Sequence, residues 1–260
     1  MRCSGRRWSR TLCAMTDRWT LYIDVEGFAS KWNETTMEAF RGINTLMEGI
    51  FQIGAHCYAE SPDRLFAHQF GDAFLLVSDF HEAVLDRSVL IGIALMRQLL
   101  AVGEIAKCTM DEGELSDIAN CYPDAIRKRY NRGSIGIGAG LMTITPVMGT
   151  ALIRTAAIQK RASGPLFALR KALADRVSPS FGRTEISGSE LVSMNWLRGE
   201  PPGLKELQDT AGLMRSAEET RVAQLRNYLQ QSSGLSGRMD GECESTSHRT
   251  RRITSSCSGP

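Results

Sequence analysis

Apolar and polar positions along this chain fall into distinct periods, and each period predicts an element. Thr20 to Val25 is an apolar run that carries Asp24 at its exit and is followed by Gly27, which predicts a buried strand. From Lys31 to Gly54, apolar residues recur at Trp32, Met37, Phe40, Ile43, Leu46, Met47 and Ile50, close to the 3.6 period of an amphipathic helix. Two apolar runs, Leu65 to Phe70 and Ala73 to Val77, flank Gly71-Asp72 and predict a β-hairpin with a tight two-residue turn. Glu82 to Val102 predicts a second helix, with Arg97 at its edge, stem buried and head in water. Glu104 to Met110 reads as a strand, and Asp111-Glu112-Gly113-Glu114 as a solvated turn out of it. Ser116 to Arg132 reads as a loop with one helical turn. Ile135 to Ile144 then reads as a strand or hairpin, and a helix starts near Pro146 and Gly149 and runs to about Arg161. Pro165 to Leu173 predicts a further strand, Ser178 to Pro202 loops around a strand at Glu190 to Leu197, and Leu204 to Leu229 a charged amphipathic helix. This order predicts an α+β sandwich with a mainly antiparallel sheet flanked by helices.

Composition narrows the class. Of 260 residues, 42% are hydrophobic, enough for a core, and the net charge of +2 is too small to argue for nucleic acid or an anionic membrane. The uncharged stretch Gly133 to Ile153 holds five glycines, Pro146 and several threonines, so it reads as a buried hairpin leading into a helix and not as a membrane span. Seven cysteines, an odd number with no Cys-x-x-Cys pair, suggest neither a disulfide framework nor a zinc site, and fit a reducing, cytoplasmic compartment. The N-terminus carries arginines without an apolar core, so it is not read as a secretory signal, and Met15 is an alternative start to Met1. The expected organisation is a basic disordered tail (1–15), a main folded domain (16–202), a C-terminal helix (203–230) and a Ser-, Gly-, Thr- and Arg-rich disordered tail (231–260).

The candidate chemistry lies in Asp24 and Asp72. If the strand and the hairpin lie side by side in one sheet, the two carboxylates meet at its edge. They then repel, unless a hard divalent cation such as Mg²⁺ or Mn²⁺ joins them. Backbone N–H groups of the Val25 to Ala29 turn point at the same place and suit phosphate. The bland alternatives are a helix cap for Asp24 and a plain turn for Gly71-Asp72. The five residues Gly136-Ile137-Gly138-Ala139-Gly140 lack the strand–loop–helix setting of a dinucleotide fingerprint.

The pair, with its flanks, resembles the metal-binding aspartates of the class III nucleotide cyclases. The wording Tyr22-Ile23-Asp24-Val25-Glu26-Gly27-Phe28, His68-Gln69-Phe70-Gly71-Asp72 and Pro146-Val147-Met148-Gly149-Thr150 is similar to the pyrimidine nucleotide cyclases of bacterial antiphage (Pycsar) defence. The resemblance covers roughly Trp19 to Leu169. It implies two Mn²⁺ or Mg²⁺ ions per site on Asp24, Asp72 and the Val25 carbonyl, and conversion of UTP or CTP, UTP preferred, to the 3′,5′-cyclic nucleotide and pyrophosphate. Phe28, His68, Thr143 and Thr145 become nucleotide-binding candidates. His68 stands in the hairpin where purine cyclases carry Lys or Glu to read the base, and Tyr58 and Arg64 are weaker candidates nearby. Thr150 and Arg154, four apart on one helix face, stand for the ribose-orienting Asn and the transition-state Arg of the family, with Thr replacing Asn. Arg170 and Lys171 are further candidates for the triphosphate. The resemblance also implies a head-to-tail homodimer with the helix arginine supplied in trans, and an effector reached through the cyclic nucleotide.

Two other classes compete. A haloacid-dehalogenase-like phosphatase also places an Asp after a strand, but wants a second Asp two residues on, where this chain has Glu26. A catalytically inactive cyclase-like binding or dimerisation module fits the missing Asn.

Overall fold

The computed structural model describes residues 16–60, 63–162 and 164–236. In chain order the elements are β1 (Thr16–Val25), α1 (Phe28–Glu34), α2 (Thr36–His56), β2 (Leu65–Phe70), β3 (Ala73–Ser78), α3 (Asp86–Ala101) and β4 (Ala106–Asp117), followed by α4 (Asp124–Arg127), β5 (Ser134–Ile137), β6 (Gly140–Thr143), β7 (Val147–Met148) and α5 (Thr150–Arg161). The chain then continues through β8 (Phe167–Arg170), β9 (Arg183–Glu185), β10 (Leu191–Met194), α6 (Leu204–Thr210) and α7 (Glu218–Ser236). The main sheet has the order β2-β3-β1-β4-β8-β10-β9, with β7 added to the far end of β4. Every pairing in it is antiparallel except β4 with β8. This is the mainly antiparallel α+β architecture that the element order predicts.

Alternation along the central strands gives the sheet two unlike faces. Trp19, Leu21, Ile23 and Val25 of β1, Phe74 and Leu76 of β3, and Cys108 and Met110 of β4 all enter the main core with α2 and α3. Ile23, Leu46 and Leu95 are fully buried there, and each such side chain contributes about 1.5–3 kcal/mol. The opposite face carries Thr20, Tyr22, Asp24, Lys107, Thr109 and Asp111, and is covered by α5. Thr155 and Gln159 of α5 contact Thr20 and Thr109 there. An apolar patch of Leu75, Val77, Leu115, Val147 and Ala151 seals part of the same side.

Several local expectations are corrected. Asp111 to Glu114 is not a turn: β4 runs through it, because β1 extends back to Thr16 and pairs Asp17 to Thr20 with Glu114 to Asp111. The acids are accommodated by cations, Asp111 by Arg170 at 2.8 Å and Glu112 by Arg176, with the His81 ring 3.1 Å from Glu112. Arg97 is 2% exposed, and its head does not reach water. A segment a hundred residues further along the chain closes over it, so that Nε donates to the Trp196 carbonyl at 2.7 Å, Nη2 to the Gly199 carbonyl at 2.8 Å and Nη1 to Glu200 Oε1 at 2.9 Å. The first predicted helix is two, broken by extended backbone at Thr35. The Gly-rich hairpin β5–β6 is not buried: its strands pair only with each other, leaving Ile137 and Leu141 more than half exposed. The stretch from Leu204 likewise forms two helices, α6 and α7. The helix α7 continues through 231–236, inside the segment expected to be disordered; the rest of that tail and the N-terminal tail, 1–15, lie outside the described residues.

Candidate metal and nucleotide site

The last register pair between β1 and β3 is Asp24 with Ala73, which puts the Gly71-Asp72 turn directly beyond the end of β1. Gly71 takes a left-handed φ of 66°, as the tight turn requires. Gln69 Nε2 donates to the Gly71 carbonyl at 2.9 Å and steadies that turn. Asp24 and Asp72 are therefore brought together by local pairing alone. Their proximity has an electrostatic signature. Burial and then the Asp72 charge raise the Asp24 pKa, opposed by a hydrogen bond from Gln159 and the charge of Lys107. Burial, Asp24 and Asp72 likewise raise Tyr22.

Val25 completes the local donor set. The Glu26 N–H donates to the Ile105 carbonyl on the β4 side at 2.8 Å. Strand alternation then turns the Val25 carbonyl to the other side, toward the β2–β3 turn, beyond the last β3 pair. Past it, Gly27 at φ 75° starts α1, and the Lys31 N–H donates to the Gly27 carbonyl at 3.1 Å. Phe28 is half-buried and packs on Trp32 with ring centres 5.6 Å apart.

Three side chains that the sequence did not single out also converge here. Lys107 lies directly opposite Asp24 on β4, with Nζ 3.8 Å from Asp24 Oδ2 and 3.6 Å from Glu26 Oε1. Gln159 reaches down from α5, donating from Nε2 to Asp24 Oδ2 at 3.3 Å while its Oε1 accepts from Thr109 Oγ1 at 3.0 Å. Glu26 Oε1 is buried without a hydrogen-bond partner, and burial raises its pKa against the opposing Lys107 charge. Glu26 follows Asp24 by two residues along the chain, but only register and helix face bring Lys107 and Gln159 to Asp24, so no local signal marks those two.

A hard divalent cation fits this donor set. Two mutually repelling carboxylates, a carbonyl turned toward them and an orphaned buried carboxylate oxygen are all oxygen donors. Among the described residues no group of three or more His, Cys, Asp or Glu side chains is already arranged around one point, so the protein alone presents a pair and not a closed cage.

The remaining candidates lie elsewhere in the chain. His68 is on edge strand β2, paired with Leu75, which in turn pairs with Tyr22, so it shares the Asp24 face two residues back. Burial lowers its pKa, opposed by Asp117. Phe70, on the same face, stacks on Tyr22 at 6.5 Å. Thr143 ends β6 and Thr145 lies between β6 and β7; both are exposed. Thr150 opens α5, where its hydroxyl accepts the Glu114 N–H at 3.0 Å. Arg154 donates from Nη1 to the Glu112 carbonyl at 3.2 Å. Neither meets Asp24 within one chain. Arg170 is paired with Asp111, Lys171 with Glu185 at 2.8 Å and Arg64 with Asp79 at 2.6 Å. Tyr58 lies under Arg87, its pKa pushed up to about 12 by burial.

No protein-family model matches the chain, and no curated protein matches its sequence. The chain is similar in structure to the monomeric guanylyl cyclase domain of the RhoGC fusion protein from the aquatic fungus Blastocladiella emersonii, with 8% identity, a TM-score of 0.48, and 69% of this chain and 93% of that one covered. The guanylate cyclase domain of RhGC from Catenaria anguillulae in complex with GTP matches at 10% identity and a TM-score of 0.46 over 69% of this chain and 94% of that one. The adenylyl cyclase CyaB from P. aeruginosa matches at 12% identity and a TM-score of 0.42 over 68% and 93%. No helix among the described residues is long and apolar enough to cross a membrane.

Proposed function

We propose that this chain is a pyrimidine nucleotide cyclase, converting UTP in preference to CTP to the 3′,5′-cyclic nucleotide and pyrophosphate. One observation carries the reading: Asp24 and Asp72 meet at the open end of a polar sheet face, beside the Gly27 turn that starts α1. The likeness of Tyr22 to Phe28 and His68 to Asp72 to the pyrimidine cyclases of antiphage defence supplies the choice of base and the cellular role, a cytoplasmic synthase whose cyclic product reaches a separate effector.

When bound, two Mn²⁺ or Mg²⁺ ions on Asp24, Asp72 and the Val25 carbonyl supply Lewis-acid activation of the ribose 3′-hydroxyl and neutralise the triphosphate. The chain's own residues do the rest. The Gly27 to Ala29 turn, beyond the Glu26 N–H that Ile105 already takes, offers N–H donors to the phosphates. Tyr22 and Phe70 present a ring surface on the Asp24 face, and His68, kept neutral by burial, presents one donor and one acceptor to the edge of the base. The 3′-hydroxyl gives up its proton to solvent and its oxygen attacks the α-phosphorus, while the bond from the α-phosphorus to the bridging oxygen breaks and pyrophosphate leaves with that electron pair. Arg154 stabilises the charge that develops there, supplied by the partner copy of a homodimer.

Product analysis tests this. The purified protein is incubated with Mn²⁺ and each of ATP, GTP, CTP and UTP beside an Asp72→Ala control. Cyclic UMP that the control lacks is expected, and a mixture of Asp72→Ala with Arg154→Ala chains should regain activity that neither has alone. No cyclic product from any of the four overturns the proposal. Activity of the Arg154→Ala chain equal to that of the unaltered protein removes that arginine from it.

A further inference from the structure

The lysine opposite Asp24 has no place in the reading so far. Lys107 is 14% exposed at its side chain, and its ammonium lies between Asp24 Oδ2 and Glu26 Oε1, at 3.8 and 3.6 Å. Both distances are ion-pair distances, beyond those of hydrogen bonds. The Glu26 oxygen is thereby left buried without a hydrogen-bond partner. Asp24 Oδ2 accepts from Gln159, so the ammonium lies between one carboxylate oxygen that is already engaged and one that is not. Strand pairing on both sides of the contact, Ile23 with Cys108 and Val25 with Ala106, fixes the lysine's backbone opposite Asp24.

We infer that Lys107 is a built-in counter-cation of the metal site, which compensates Asp24 and Glu26 before any metal binds and limits the nucleotide-free site to a single divalent ion. This inference rests on the cyclase reading for the identity of the site. The charges around it set the limit. Asp24, Glu26 and Asp72 are three carboxylates, and Lys107 is one ammonium, so two negative charges remain, the charge of one divalent cation. A second ion would make the site positive, and so enters only with the anionic triphosphate. When the first ion takes Asp24, the ammonium keeps Glu26 as its partner and stays beside the ion. The lysine thus weakens the first metal by repulsion and excludes the second until substrate arrives. The site therefore uses its ions in order, one resident and one carried in by the nucleotide.

Mn²⁺ binding followed by electron paramagnetic resonance tests this without reading activity. The unaltered protein should bind one Mn²⁺ per chain, and a second only when a non-cyclising nucleoside triphosphate analogue is present. Lys107→Met should bind the first ion about tenfold more tightly, the effect of removing a unit charge a few ångströms from a divalent ion under water-like screening. It should also admit a second ion without nucleotide. Lys107→Arg, which keeps the charge, should match the unaltered protein. In EDTA the Lys107→Met chain should melt below the unaltered protein, and Mn²⁺ should close that gap. Lys107→Gln replaces it if it fails to fold, as judged by circular dichroism. Equal or weaker Mn²⁺ binding by a folded neutral variant overturns the inference while leaving the cyclase reading in place. So does a second ion on the unaltered protein without nucleotide. No Mn²⁺ binding by either folded chain overturns both.

Discussion

Lys31→Met is expected to release α1 from the body of the protein while leaving the rest folded. The helix α1 contains no fully buried residue, and its packing is limited to half-buried Phe28 against the core and Trp32 against Phe40 of α2. Its charged tie to the core is Lys31, whose Nζ donates to Glu104, a carboxylate with no exposure of its own. Arg41 of α2 binds the other oxygen of Glu104 through Nε at 2.9 Å and Nη2 at 2.7 Å, so removing Lys31 does not leave the carboxylate unpaired. The loss is then that of one charge-assisted hydrogen bond, about 2 kcal/mol, or roughly thirty-fold in the ratio of docked to undocked α1. Because that opening is local, the melting temperature should fall by only a few degrees. The affected backbone includes Gly27 and Phe28, in the turn assigned to the phosphates, and the apparent affinity for nucleotide falls with the docked fraction. Hydrogen exchange is the direct assay. Faster exchange confined to residues 28–35 is expected, with weaker nucleotide binding and unchanged protection in β1 and α3. Unchanged exchange over 28–35 refutes the reasoning, as does a uniform rise over the whole chain.

The other predictions concern buried charge. Arg97→Met leaves the Trp196 and Gly199 carbonyls without their donor and should destabilise the fold by about 3–5 kcal/mol, lowering the melting temperature by roughly 6–20 °C. Arg97→Lys should recover little of this, since an ammonium cannot span the same fork of acceptors; full recovery would show that charge alone matters there. Asp111 is held above its ordinary pKa by burial, against a hydrogen bond from the Glu112 N–H and the charges of Arg170 and Arg154. The folded state therefore binds its proton more tightly than the unfolded chain. The stability from this group is fully present below the unfolded value, about pH 4, and is lost as pH rises through the raised folded value. Asp111→Asn should flatten the fall in stability over that window, measured by denaturant unfolding at a series of pH values, and an unchanged slope would refute it.

The parts of the site that were legible in the sequence are those that local geometry determines. A carboxylate at a strand exit and another in a two-residue turn each announce themselves within a few residues, and the antiparallel pairing of β1 with β3 then brings them together. Asp111 to Glu114 were misread for the opposite reason. Acids around a glycine are a turn signal in isolation, but the long ladder of β4 on β1 outweighs that preference, and cations from β8 and the segment after it stabilise the buried charge. Arg97 was placed in water because one helix face says nothing of a segment a hundred residues away that closes over it. Lys107 and Gln159 were invisible for the same cause: a lysine in a strand and a glutamine late in a helix acquire meaning only through register with Asp24.

The path of α5 along the sheet constrains how the site can be completed. Its first turn lies over Gly113 and Glu114, where the Thr150 hydroxyl accepts the Glu114 N–H; its middle contacts Glu112 through Arg154; its last turn reaches Asp24 through Gln159. The helix thus runs along β4 from one end of the sheet toward the other. Glu112 and Lys107, the residue opposite Asp24, are five residues apart on that strand, about 16 Å at the usual strand rise. Arg154 donates in place to the Glu112 carbonyl of β4 at 3.2 Å. Within one chain, therefore, the only cation within ion-pair reach of the Asp24 carboxylate is Lys107, among the described residues. Strand pairing fixes its backbone opposite Asp24, with the ammonium between Asp24 and Glu26. In the proposed reaction, charge that develops on the far side of the phosphate is then met by a cation from outside this chain's own Asp24 end. A second copy presenting its α5 is the arrangement in which Arg154 can do so, and that is why recovery of activity in mixed Asp72→Ala and Arg154→Ala chains, more than either variant alone, decides whether this helix has a catalytic role.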